Sequence, residues 1–69
     1  MQPHASELEE DIIGACLIEQ EALPLVADKL RPEMFYDDHH QLIFAALIAM
    51  YQANKKIDIL TVKEELTRR

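Results

Sequence analysis

Residues 42–51, LIFAALIAMY, form an unbroken apolar run of ten. On a 3.6-residue helix, His39, Leu42, Ile43, Ala46, Leu47, Met50 and Tyr51 cover well over half of the circumference. Gln41, Ala45, Ala49 and Gln52 leave only a narrow polar or small strip. A helix that is apolar nearly all round is covered by protein or by lipid. A lipid span needs about 20 apolar residues, so the run is too short for one. The expected fold is therefore all-α: a small bundle of about four helices around a central buried helix. No segment shows sustained strand alternation, and there are no internal repeats.

The 69 residues suffice for one domain. Burial and ordering terms are then comparable, about 100 kcal/mol each, so the domain is expected to be marginal alone and to lean on a partner. Thirteen acidic and seven basic residues give a net charge of -6. That balance argues against a nucleic-acid face, because phosphate affinity comes from Lys and Arg. It argues equally against an anionic membrane surface. One cysteine, Cys16, excludes an intramolecular disulfide and reads as a small buried hydrophobe. The polar, acidic start is not a signal peptide, and a reducing, cytoplasmic setting fits.

Residues 1–5 read as a flexible arm, and residues 6–69 as the helical domain. Ser6 and Glu9 form S-x-x-E, the pattern of a capping box. Helix one is expected over residues 7–18. Leu8, Ile12, Ala15 and Cys16 face inward there, and the acidic run of Glu7, Glu9, Glu10 and Asp11 faces solvent. Gly14, the only glycine, is mid-helix, where close approach of another helix would explain it. Pro24 and Pro32 bracket helix two, expected over residues 23–30. Met34, Phe35 and Tyr36 read as an apolar plug over the end of the core. Asp37 or Asp38 caps the central helix, expected over residues 38–53 and ended by Asn54, Lys55 and Lys56. Ile57 tucks in. Asp58, or else Thr61 with Glu64, caps helix four over residues 58–68, with Ile59, Val62 and Leu66 buried.

Chemistry is hard to place on this chain. Asp37, Asp38, His39 and His40 are metal-ligand types, and a metal-dependent hydrolase is one reading of them. Adjacent histidines on a helix point about 100° apart, however, and do not easily share one ion. His40 is expected to be packed and hydrogen-bonded. One glycine cannot supply a phosphate loop, and no nucleophile has a base at a legible spacing. No catalytic residue, metal ligand or cofactor site is assigned.

Three blocks then resemble a known family. PHASELEEDIIGACLIEQEAL, RPEMFYDDHHQLIFAAL and KIDILTVKEEL are similar to the N-terminal domain of DnaB-type replicative DNA helicases. Pro3, His4, Glu7, Glu9 and Gly14 match the first block. Phe35, Tyr36, His40, Ile43 and Phe44 match the second, and Ile57, Asp58, Thr61 and Glu64 the third. Asp38, Gln41 and Lys56 depart from the usual proline, arginine and proline. The resemblance implies a non-catalytic collar domain that stabilises a hexamer and docks primase. It further implies a domain incomplete at its C-terminus, followed in the full-length protein by an ATPase that uses ATP and magnesium and grips DNA. The implied partners are a second copy of the chain and primase, with no membrane. Partner contact is expected at Asp58, Thr61 and Glu64, in bacterial cytoplasm. The alternative is a free-standing acidic helical adaptor unrelated to replication.

Overall fold

A computed structural model describes residues 5–69. It contains four helices, α1 (Ala5–Ile18), α2 (Ala22–Lys29), α3 (Asp38–Gln52) and α4 (Ile59–Arg68), with a single 3-10 turn at Pro32–Met34. No strand occurs among the described residues. Helix α3 is the hub: α1, α2, the 3-10 turn and α4 all pack on it. It buries His40, Phe44, Ala46, Leu47 and Met50, more than any other helix. Cys16, Leu23, Phe35 and Ile57 complete the core around it. The Phe35 and Phe44 rings tilt together with centroids 4.8 Å apart, a favourable offset geometry.

The boundaries of α3 follow from local chemistry. Asp37 is its N-cap, and its Oδ1 accepts the His39 backbone N–H at 2.8 Å. At the far end Asn54 takes a left-handed φ of 58°. The Asn54 N–H reaches Tyr51 O at 3.0 Å and the Lys55 N–H reaches Met50 O at 2.9 Å. These two bonds make a Schellman motif, with asparagine in the place glycine usually takes. Pro24 sits in the first turn of α2, where its missing N–H costs little, and Pro32 opens the 3-10 turn.

Several expectations from the sequence are corrected here. Ser6 is not the N-cap of α1: it lies within the helix, and Glu9 turns its carboxylate to other elements. The buried face of α1 is Glu9, Ile13 and Cys16, whereas Leu8 and Ala15 are exposed. Glu9 is thus not part of a solvated acidic run. The loop plug reduces to Phe35, because Met34 and Tyr36 stand in solvent. Helix α3 has a wet side carrying His39, Leu42 and Tyr51. In α4 only Val62 is buried and Leu66 half-buried, while Ile59 is exposed. Asp58 holds the cap position just before Ile59, which turns that side chain outward. The arm expected over residues 1–5 lies outside the described residues, apart from Ala5, which opens α1.

Gly14 also departs from expectation. A Cβ built on it would meet nothing within 4 Å, so no neighbouring helix needs the space. Gly14→Ala is expected to stabilise the domain by about 1 kcal/mol through helix propensity alone. A thermal melt followed by circular dichroism, with the variant midpoint at or below that of the natural chain, would contradict this.

Candidate partner surface and a polar staple

The most connected polar group is Glu9. Its carboxylate accepts the Tyr36 N–H, the Asp37 N–H at 3.2 Å and the His40 Nδ1–H at 2.8 Å. Both side chains of the Glu9–His40 pair are about one-tenth exposed. An ionised carboxylate only accepts, so the bond to Glu9 requires a proton on Nδ1, and Nε2 lies 4.0 Å from Glu10 Oε2. Burial alone would raise the pKa of Glu9. The N–H of Tyr36, the His40 ring and the N–H of Asp37 outweigh it and hold the carboxyl below its ordinary 4.5. Glu9 therefore ties α1 to the entry of α3 by accepting the N–H groups of the N-cap Asp37 and of Tyr36 just before it. This is a structural staple: the hollow of about 160 Å³ beside Glu9 is otherwise lined by the apolar side chains of Leu8, Ile12, Leu30, Met34 and Phe35.

The Asp and His residues singled out above separate in space. His39 is exposed, and its Nδ1 lies 3.3 Å from Asp37 Oδ1. His40 points into the interior toward Glu9, so the two rings diverge as helix geometry requires. Among the described residues no group of three His, Cys, Asp or Glu side chains is arranged to hold a metal ion.

Asp58, Thr61 and Glu64 fall at the start of α4. The Asp58 carboxylate accepts the Thr61 N–H at 2.8 Å, and Thr61 Oγ1 accepts the Asp58 N–H at 2.9 Å. This reciprocal pair is a capping box. The Thr61 hydroxyl donates onward to Lys56 O at 2.8 Å. The Thr61 N–H holds the Asp58 carboxyl below its ordinary 3.8, and the Lys56 ammonium assists. Asp58 and Thr61 are thus committed to the corner itself. Glu64 does not join them: it is exposed one turn further on, beside Leu60, Lys63, Thr67 and Arg68.

Apolar side chains surround this corner. Ile18 is 89% exposed, Ile59 77% and Leu60 67%. Together with Leu17 and Asp58 they line one shallow hollow where the end of α1 meets the start of α4. A second, mostly apolar seam between α1, α3 and α4 is lined by Ile13, Leu17, Ile43, Ile59, Val62 and Leu66 together with Lys63. Inside the corner, Gln20 Nε2 donates to Ile57 O and fixes the loop that presents Asp58. The exposed residues Ile18, Ile59 and Leu60 were not singled out from the sequence as a surface. The signal for Leu60 was its place on the opposite side of α4 from Val62 and Leu66.

No helix among the described residues is long and apolar enough to cross a membrane. The family model for the DnaB-like helicase N terminal domain matches residues 1–69. The chain is 50% identical over 66 residues to the replicative DNA helicase DnaB of Rhodothermus marinus, covering 96% of this chain and 7% of that protein. It is 36% identical over 64 residues to the replicative DNA helicase DnaB of Treponema pallidum, covering 93% of this chain and 15% of that one. It is 32% identical over 66 residues to the replicative DNA helicase DnaC of Bacillus subtilis, covering 96% and 14%. No solved structure matches. The chain thus spans a small part of the length of these relatives. A match along the whole chain, together with an all-helical fold, places it in the DnaB-like helicase N-terminal domain family.

Proposed function

We propose that this domain is an assembly and docking module of a replicative DNA helicase. It supports a hexameric collar and receives primase during replication in the bacterial cytoplasm. ATP, magnesium and DNA are handled by the ATPase domain of the full-length protein, and this domain works by contact with other protein chains. The observation that carries the reading is the cluster of Ile18, Ile59 and Leu60 in solvent around a rigidly capped Asp58 corner. Exposed apolar side chains gathered at one place mark sites of protein contact. The corner is held by backbone and hydroxyl bonds, so its residues present one fixed shape.

Two substitutions test this in the full-length helicase. Leu60→Asp puts a carboxylate into the apolar cluster at an already exposed position. Asp58→Asn removes charge while keeping a good cap, since Asn caps as well as Asp. Primase stimulation of unwinding, or hexamer stability in sedimentation, is expected to fall about tenfold for Leu60→Asp, the scale of losing one buried leucine from an interface. Asp58→Asn is expected to show a smaller loss in the same direction. Both variants should melt within a few degrees of the natural protein. If both keep full primase stimulation and hexamer stability, the corner is not a partner surface.

A further inference from the structure

The hollow at the Asp58 corner is made of two parts that belong to different helices. Leu17 and Ile18 end α1, and Ile59 and Leu60 open α4. Both helices pack on α3, and they make little contact with each other. Packing on α3 therefore holds each helix separately and leaves the spacing of their exposed edges to the loops. Helix α4 is lightly held, with Val62 its one buried residue. The carbonyls just before α4 show how the two edges are joined. Lys56 O accepts the Thr61 hydroxyl at 2.8 Å and Asp58 O accepts the Val62 N–H at 2.9 Å, so α4 itself satisfies these two. The carbonyl between them, Ile57 O, accepts Gln20 Nε2 from 37 positions away. Gln20 lies two residues past the end of α1, and its own carbonyl accepts the Leu23 N–H at 3.1 Å, which fixes it in the turn that opens α2. Among the described residues this is the only hydrogen bond between the α1–α2 connection and the α3–α4 connection.

We propose that Gln20 is a positioning residue for the partner surface: its amide sets the spacing between the α1 edge, Leu17 and Ile18, and the α4 edge, Ile59 and Leu60, so that a partner meets one fixed hollow. This role rests on the Asp58 corner being a docking surface, as proposed above. The core of a protein contact packs as densely as a protein interior, so its two halves must stand at one spacing. Edges that move against each other have to be ordered on binding, and that ordering subtracts from affinity. Gln20 is exposed, so water takes the place of its amide at Ile57 O when the amide is removed, and the carbonyl stays hydrogen-bonded. Loss of the amide thus costs the domain little stability but costs the surface its fixed geometry. That split distinguishes a positioning role from a general strap.

The test uses the full-length helicase with Gln20→Met, which keeps the chain length and has no donor, and with Gln20→Lys, which restores a donor on a long stem. Primase stimulation of unwinding and hexamer stability in sedimentation are read for both, with Leu60→Asp in parallel. At least one of the two readings is expected to fall about fivefold for Gln20→Met, the scale of one hydrogen bond, and to be largely restored in Gln20→Lys. Amide exchange over residues 55–62, followed by mass spectrometry, should quicken in Gln20→Met and not in Gln20→Lys. Melting midpoints of both variants should stay within a few degrees of the natural protein. Full readings in Gln20→Met beside a loss in Leu60→Asp would overturn the role of Gln20 and leave the surface standing. Full readings in both would overturn the surface and this role with it. An equal loss in Gln20→Lys, or unchanged amide exchange in Gln20→Met, would overturn the role because the donor would not be what matters. A fall in the melting midpoint large enough to account for the loss in Gln20→Met would overturn it too, by making the bond a general strap.

Discussion

Replacing Glu9 with Ala is expected to unfold the domain at room temperature. The substitution strips the acceptor from three donors at once: the N–H groups of Tyr36 and Asp37 and the Nδ1–H of His40. A hydrogen bond to a charged acceptor contributes about 1.5–3 kcal/mol, and a buried donor left unpaired costs a similar amount. The three share one carboxylate and do not add, so the expected loss is about 3–5 kcal/mol, the range for breaking a buried charged network. A chain of this size has only about 3–10 kcal/mol of stability in total. Glu9→Gln keeps one carbonyl oxygen and should lose less. The pH dependence follows from the same group. Its folded pKa lies below the unfolded value near 4.5, so its contribution is fully present above that value. It is lost as pH falls through the folded pKa. Asp37, Asp58 and Glu65 are shifted the same way and add to the effect. Thermal midpoints should therefore drop below about pH 4.5, less steeply for Glu9→Gln than for the natural chain. A Glu9→Ala variant that melts within a few degrees of the natural protein at pH 7 would refute the staple.

Leu47→Ala is expected to have an effect of similar size by a different route. Leu47 is fully buried on α3, among Cys16, Leu23, Phe44 and Met50 of the same core. Helices α1, α2 and α4 all pack on α3, so the cavity left behind is shared and cannot close by moving one of them. Leucine-to-alanine changes at such sites cost about 2–5 kcal/mol, made up of lost transfer energy and residual cavity. The variant should lack a cooperative thermal transition at room temperature and above. A transition with its midpoint preserved would mean that the bundle relaxes around position 47, contrary to its place at the centre. Neither Leu47→Ala nor Glu9→Ala should be rescued by salt, since the lost interactions are buried and poorly screened.

The elements that were legible in the sequence are those fixed by local chemistry. Asp37, Asn54, Pro24, Pro32 and Asp58 each act within a turn of where they stand, and their roles follow from neighbours a few residues away. The ten-residue run likewise located the hub, because only the centre of a small bundle can bury it. The faces of α1 and α4 were harder. Leu8 obeys helical periodicity toward the core, yet a carboxylate takes the buried position next to it. Hydrophobic patterning cannot register Glu9, whose burial is made possible by N–H groups 27 and 28 residues away. Glu9 and His40 both fall within the blocks that resemble the helicase family, but the sequence reading left Glu9 in solvent and gave His40 no partner. Ile59 was assigned inward by spacing from Val62 and Leu66, but the Asp58–Thr61 box sets the phase of α4 and leaves Ile59 outside.

The partner surface was legible only in part. Asp58 and Thr61 were located by their match to the third block, and the structure gives them a capping task that any such helix would need. The apolar residues that make the corner a surface, Ile18, Ile59 and Leu60, become visible only when the placement of α1 and α4 on α3 is known. Exposed leucines and isoleucines are ordinary when scattered, and gathering them in space is what gives them meaning.

The proposed function requires this domain to associate with protein, a second copy included. Sedimentation velocity on the 69-residue chain at tens of micromolar, at low and at high salt, tests it most directly. Apolar surface at the corner and along the seam between α1, α3 and α4 should drive association, while the net charge of -6 opposes it. Added salt shortens the range of that repulsion to about 8 Å at physiological strength and less beyond. Species heavier than the 8.0 kDa monomer are expected, in a proportion that rises with salt. A single folded species at 8.0 kDa under both conditions would contradict it, and would show that four helices close their own core without a partner.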